Sequence, residues 1–178
     1  SGWDGVKKAL AKNFGLKMVG EATYRRGAEY SQSFKEQVDI IRKSSADAVI
    51  SIGAYAVSAA FIRDARNGGL NIPIANLSFV GSENMTDLLL HSGRTAGKDY
   101  RKDLINSEVV PSYQDVALPA VQEYRQLMEK YQPLPPRDLT ESSYTPLPYS
   151  YVSFEGFLNA KLLVEVLKRM GANPTKNH

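Results

Sequence analysis

Histidine and cysteine carry much of the nucleophilic and metal chemistry of proteins, and this chain has almost none of either. It contains no cysteine and two histidines, His91 and His178, which stand far apart. Disulfides, zinc–cysteine sites and thiol nucleophiles are therefore excluded, and a Ser/His/Asp triad or histidine metal centre has little material to draw on. No GxGxxG or GxxxxGK[ST] run is present to cradle a phosphate. Gly68-Gly69 follows a helical pattern rather than a strand, so it reads as a helix stop. The residues left are aromatic and small polar ones at element ends. The clearest case is the stretch DAVISIGAYAVSAAFIRDARNGGL, Asp47 to Leu70. An apolar run stops at Gly53, and Ala54-Tyr55 then opens a helical pattern.

In an open α/β sheet, ligands sit beyond the carboxyl ends of the strands, where helix N-termini also favour anions. Tyr55 and Ala54 occupy such an end. A catalytic role for Tyr55 has no support, since no base or cofactor motif stands near it. The competing reading is a loop tyrosine packed on its own helix. Phe79 and Ser78, in Leu77-Ser78-Phe79-Val80-Gly81, lie at the end of the next expected strand, with core packing of Phe79 as the alternative. Tyr24 ends another expected strand. Trp3 opens the first helix and is either a ligand contact or a core residue. Gly53, Ala54 and Ser78 could offer the few backbone or hydroxyl bonds that such pockets use.

The elements that must position these residues follow from periodicity. Trp3 to Asn13 predicts a helix, closed by Gly15. LKMVGEATY, Leu16 to Tyr24, predicts a strand. Ser31 to Lys43 predicts an amphipathic helix with Ser31 as N-cap. Ala48 to Ile52 reads as a buried parallel strand, and Ala56 to Arg66 as the helix after it. A strand is expected within Pro73 to Val80, then a short helix carrying Met85 to Leu90 and capped by Ser82 or Asn84. Asp103 to Val110 predicts a further strand. Leu118 to Tyr131 predicts a helix with Pro119 in its first turn. A loop with five prolines, Gln132 to Ser150, precedes a long helix from Tyr151 to Met170. Glu155-Gly156 in that helix is expected to be a close packing point. Tyr144, Tyr149, Tyr151 and Phe154 are expected to pin the loop to it. Strand and helix alternate about every 30 residues, the signature of βαβ crossovers and a mostly parallel, doubly wound sheet covered on both faces.

The 178 residues suffice for one moderate domain or two small lobes, and 43% are hydrophobic, so a sizeable core is available. A net charge of +3, with basic residues spread thinly, argues against a nucleic-acid partner. No apolar run reaches membrane-spanning length, and no signal-peptide pattern is visible. The chain opens on a helix with no strand before it and ends just after another. It is therefore expected to be a piece of a longer protein.

Five runs, in order, carry a resemblance: SGWDGVKKAL, YRRGAEYSQSF, ADAVISIGAYAVSAAFIRDARNGGL, NSEVVPSYQDVALPAVQEYRQLMEKY and SYVSFEGFLNAKLLVEVLKRMG. Together they resemble the type I periplasmic binding proteins. The branch they are most similar to is the extracellular ligand-binding receptors of the branched-chain amino-acid ABC transporter group. The resemblance implies two Rossmann-like lobes that close on a ligand by hinge motion. Residues 1–107 would be most of the second lobe, lacking its first strand. Residues 108–178 would cross the hinge at Val109-Val110-Pro111 and return to part of the first lobe. It also implies that Tyr55 matches a cleft-facing position. Parts of the family carry an acid near Phe79. Its absence here, with Glu83 further on, favours an apolar or aromatic ligand over a standard aliphatic amino acid. The implied function is that of an exported bacterial solute-binding protein, periplasmic or extracellular, which hands a small molecule to a membrane permease and uses no cofactor. A sensor domain of the same fold is the first rival, and an enzyme on a doubly wound sheet the second. Unpaired sheet edges lead us to expect self-association.

Overall fold

The computed structural model describes residues 2–139 and 145–170. The chain divides into two compact units, residues 1–108 and 109–178. The first unit is α/β. Its helices are α1 (Gly2–Phe14), α2 (Lys35–Lys43), α3 (Tyr55–Asn67) and α4 (Ser82–Ala96). Its strands are β1 (Val49–Ser51), β2 (Ile74–Asn76) and β3 (Leu104–Asn106). All pair in parallel in the order β1-β2-β3.

That order explains which face of the sheet is covered. The β1-α3-β2 and β2-α4-β3 crossovers step in the same direction. Right-handed crossovers then place both helices on one face. There α3 packs between α2 and α4, and the core joins Phe34, Val38 and Ile41 to Ala59, Ala60, Ile62 and Ala65, and to Ile74, Met85 and Leu89. The alternate strand residues point the other way. Ile50 is 42% exposed and Ile105 60%, whereas a parallel sheet ordinarily buries both faces. The parallel α/β architecture is as the sequence indicates, but among the described residues the face that carries Ile50 and Ile105 is exposed rather than covered.

Several expected elements differ. Leu16 to Tyr24 is irregular rather than a strand. A strand needs a neighbour to take its ladder bonds, and only β1, β2 and β3 pair among the described residues. Ala22 packs on the core, while Leu16 and Val19 are exposed. The helix expected from Ser31 begins at Lys35, and its N-cap, Phe34, makes no side-chain cap bond. Its first turn is held from α3 instead: the Phe34 N–H donates to Asp64 Oδ2 at 2.6 Å. Arg63 donates to Asp64 Oδ1 at 2.8 Å and to the carbonyls of Tyr30 at 2.5 Å and Gln32 at 2.8 Å. The short helix at Met85 extends to fifteen residues, and its N-cap is Gly81 rather than Ser82 or Asn84. Gly93 lies inside it because a Cβ there would stand 2.4 Å from the Lys98 carbonyl oxygen. Gly68-Gly69 does close α3, with Gly69 at φ 77°.

The second unit is described as helices α5 (Pro119–Tyr131) and α6 (Tyr151–Met170), both where expected. Their core is Val121, Tyr124 and Phe154. The Tyr124 hydroxyl shares a 2.5 Å bond with Ser153 Oγ and accepts from the Ser150 N–H at 3.2 Å. Tyr149 and Phe154 both pack on Tyr124 of α5, the expectation having been a loop pinned to α6, and Tyr113 packs on Tyr151. Tyr144 lies outside the described residues. Gly156 is no packing point, since a Cβ there would meet nothing within 4 Å.

Two outcomes test this account. Asp64→Ala strands a buried N–H and the Arg63 guanidinium, so urea denaturation should show a loss of about 2–3 kcal/mol. A loss below about 0.5 kcal/mol, the ordinary range for a surface change, would contradict the bracing role. Gly93→Ala should lower stability by about 1 kcal/mol or more, because backbone cannot yield as a side chain can. Helix propensity alone would raise stability by up to about 1 kcal/mol, so the sign of the change decides.

Candidate functional site

The carboxyl ends of β1, β2 and β3 deliver three adjacent segments, 52–55, 77–81 and 107–108. After β1 the chain turns at Gly53, and α3 starts at Tyr55 with Ala54 as an extended N-cap (φ −71°, ψ 167°) and no side-chain cap bond. Gly53 is buried and tightly fitted, for a Cβ would stand 2.9 Å from Ser58 Oγ. The phenol of Tyr55 leaves the sheet edge at a helix N-terminus whose first N–H groups have no intrahelical partner and no side-chain cap. It is 44% exposed.

The strand expected within Pro73 to Val80 is β2, and it stops at Asn76. Ser78–Val80 is a 3-10 turn, ended by Gly81 at φ 73°. That left-handed residue suits glycine. Val80 turns into the core at 1% exposure, and Phe79 is turned outward at 59%. A Cβ on Gly81 would come within 4.0 Å of the Tyr55 Cβ, so the loops carrying Tyr55 and Phe79 are neighbours. Tyr24 joins them: its hydroxyl donates to the Ile52 carbonyl at 2.9 Å. Its ring packs on Phe34 at 6.4 Å. Trp3 stands apart. Its neighbour Gly2 lies against Ile52, but the indole's own contact is the Lys7 ammonium, 4.7 Å from the ring. Ala54, Tyr55, Ser78, Phe79 and Tyr24 thus share the carboxyl edge, while Trp3 sits on α1 beside it.

Sequence reasoning missed a polar row beneath this edge. The last residues of the three strands, Ser51, Asn76 and Asn106, stand in register. The Asn76 side chain donates to Asn106 Oδ1 at 3.0 Å. Ser51 and Ser58 share a hydroxyl contact at 3.2 Å, and Ser107 donates through its N–H and its hydroxyl to the Asn76 carbonyl. Ser82, nearly buried at the start of α4, donates its hydroxyl to Glu108. A carboxylate at a helix N-terminus is favoured by the helix dipole. The edge therefore holds an acid, supplied by the third strand's end rather than by the Phe79 loop. The available signal was a polar residue within or at the end of each otherwise apolar run.

The arrangement combines exposed aromatic surface, free helix N–H groups and a few fixed polar side chains. Such a surface can hold a small molecule with an apolar body. Among the described residues no group of three or more His, Cys, Asp or Glu is placed to hold a metal ion.

The chain covers less than half of the solved proteins it is similar to. A possible leucine/isoleucine/valine-binding protein from Rhodopirellula baltica SH 1 is 24% identical, with a TM-score of 0.75 over 99% of this chain and 42% of that one. An extracellular ligand-binding receptor from Verminephrobacter eiseniae ef01-2 is 20% identical, with a TM-score of 0.68 over 97% of this chain and 43% of that one. At such identities the likeness shows a shared fold. No curated protein matches the chain. The family profile described as periplasmic binding protein matches residues 1–178, so the chain belongs to that family.

Proposed function

We propose that the chain is part of a solute-binding protein that captures a small organic molecule between two lobes and presents it to an ABC-type membrane permease outside the cytoplasm. Residues 1–107 form most of one lobe, and residues 108–178 lead through a hinge into the other. Binding and closure are the whole mechanism, with no bond made or broken. The observation that carries the reading is the outward display of Tyr55 and Phe79 on neighbouring loops at the carboxyl edge, where the fold class binds its ligands. Exposed aromatics there gain little from folding and much from a partner.

In this reading Tyr55 and Phe79 cover the apolar body of an amino-acid-like ligand or an aromatic or apolar acid. The N–H groups at Ala54 and Tyr55 and the hydroxyl of Ser78 meet its polar end. Tyr24 braces the Tyr55 loop through Ile52, and Trp3 lies at the rim. The membership of the family and the leucine/isoleucine/valine-binding description of one solved relative support this ligand class.

The test is a thermal-shift screen of amino acids, aromatic acids and amides on a protein carrying both lobes. A ligand at a hundred times its Kd adds about 2.7 kcal/mol of stability. Tyr55→Ala and Phe79→Ala should each weaken binding of the hit by about tenfold or more, the loss expected of a buried aromatic anchor. Unchanged affinity in both variants would remove these residues from the site.

A further inference from the structure

The two helix N-termini at the carboxyl edge are suited to groups of opposite charge. The start of α3 has no side-chain cap and no acid in its first turn. Its first N–H groups have no intrahelical partner, and such an end favours an anion. The start of α4 carries Glu83 in its first turn, and the Ser82 hydroxyl there donates to Glu108. A carboxylate has about four lone-pair sites, so the Ser82 hydroxyl alone does not fill it. This end favours a cation with N–H groups to donate.

Between the two ends lies an acceptor with no donor. The β1-α3-β2 and β2-α4-β3 crossovers share β2, so its carboxyl end lies under the groove between the two helix starts. Asn76 closes β2. It is 2% exposed, and it lies on the helix face, since Ile74 two residues earlier is in the core there. Its Nδ2 is spent on Asn106 Oδ1 at 3.0 Å, and its Oδ1 has no partner among the described residues. A buried acceptor is costly until a donor reaches it. Glu108 follows two residues after Asn106, so acceptors gather on the β3 side of the groove and donors on the α3 side. Spacing then restricts what meets both. α3 and α4 pack on each other, and helices in contact lie roughly 8–10 Å apart. In an α-amino acid a single carbon separates the two charged groups, too short a link for both ends. A longer chain reaches both, and its methylenes then run past Tyr55 and Phe79, whose loops are neighbours. The absence of an acid in the Phe79 loop fits this, because the cation is met one strand further on.

We propose that the carboxyl edge takes an ω-amino acid, a zwitterion whose ammonium stands several carbons from its carboxylate, with Glu108 as the residue that selects the ammonium. The assignment rests on the ligand site proposed above. Calorimetric titration of the two-lobed protein compares 5-aminopentanoate with L-norvaline, its isomer with the amine beside the carboxylate, and with pentanoate, which has no amine. 5-Aminopentanoate should bind about tenfold or more tighter than either, through its charged hydrogen bonds to Glu108. Glu108→Gln keeps an oxygen for the Ser82 hydroxyl and removes the charge. It should bring 5-aminopentanoate down to the affinity of pentanoate and leave pentanoate itself unchanged, which also shows that the fold is intact. The isomer comparison needs no variant. Equal or tighter binding of L-norvaline, a preference for 5-aminopentanoate that survives Glu108→Gln, or no binding of 5-aminopentanoate would overturn the assignment. Failure of the ligand site itself reads differently: Tyr55→Ala and Phe79→Ala would then leave the affinity of every bound member of the set unchanged.

Discussion

The structure of the first unit depends on how α3 is held. Ala59, Ala60, Ile62 and Ala65 are fully buried within it, so the helix is locked by close packing on the sheet and on both neighbouring helices. Small side chains at those positions let backbones approach, and a dense interior tolerates no shift. Asp64 then ties the start of α2 to it, and Arg63 ties the loop before α2. Arg66 ties the two loops at its far end. With its middle packed and its C-terminal half tied, α3 holds its N-terminal residue at the sheet edge. That residue is Tyr55. Preorganised side chains on rigid elements lose little entropy on binding. The wall of the proposed ligand site is thereby a by-product of core packing.

The same helix separates the two edges of the sheet chemically. At its N-terminus the N–H groups are open and the neighbouring side chains are aromatic. At its C-terminus the last carbonyls accept from the N–H groups of Gly68, Gly69 and Leu70, and the buried Arg66 binds the carbonyls of the loops beyond. The helix dipole favours this polarity at both ends.

How much was legible in the sequence follows from which forces were local. The apolar spacing of Ala56 to Arg66 and the Gly68-Gly69 stop are local signals, and the helix is there. The position of Tyr55 at a strand-to-helix turn could be read for the same reason. Leu16 to Tyr24 has a strand's composition, but pairing is a property of neighbours, which one segment cannot supply. Phe79 was legible as an edge residue, yet the 3-10 turn that aims it depends on Gly81 and on Val80 finding the core. Gly93 looks like a helix breaker, and it lies mid-helix because the Lys98 carbonyl passes against it. The Asn76–Asn106 pair and the Ser82–Glu108 contact join residues 30 and 26 positions apart. No periodicity reports such contacts.

The claim on which the account rests is that the carboxyl edge, and no other surface of the first unit, is the wall that meets an organic ligand. Amide chemical-shift mapping of a two-lobed protein with L-leucine, L-phenylalanine and benzoate tests it most directly. The account expects perturbations centred on residues 53–55 and 78–81, spreading to Tyr24 and Asn76. A saturating ligand whose shifts instead centre on Arg66, Lys98 and Lys102, or on the Ile50 and Ile105 face of the sheet, would contradict it.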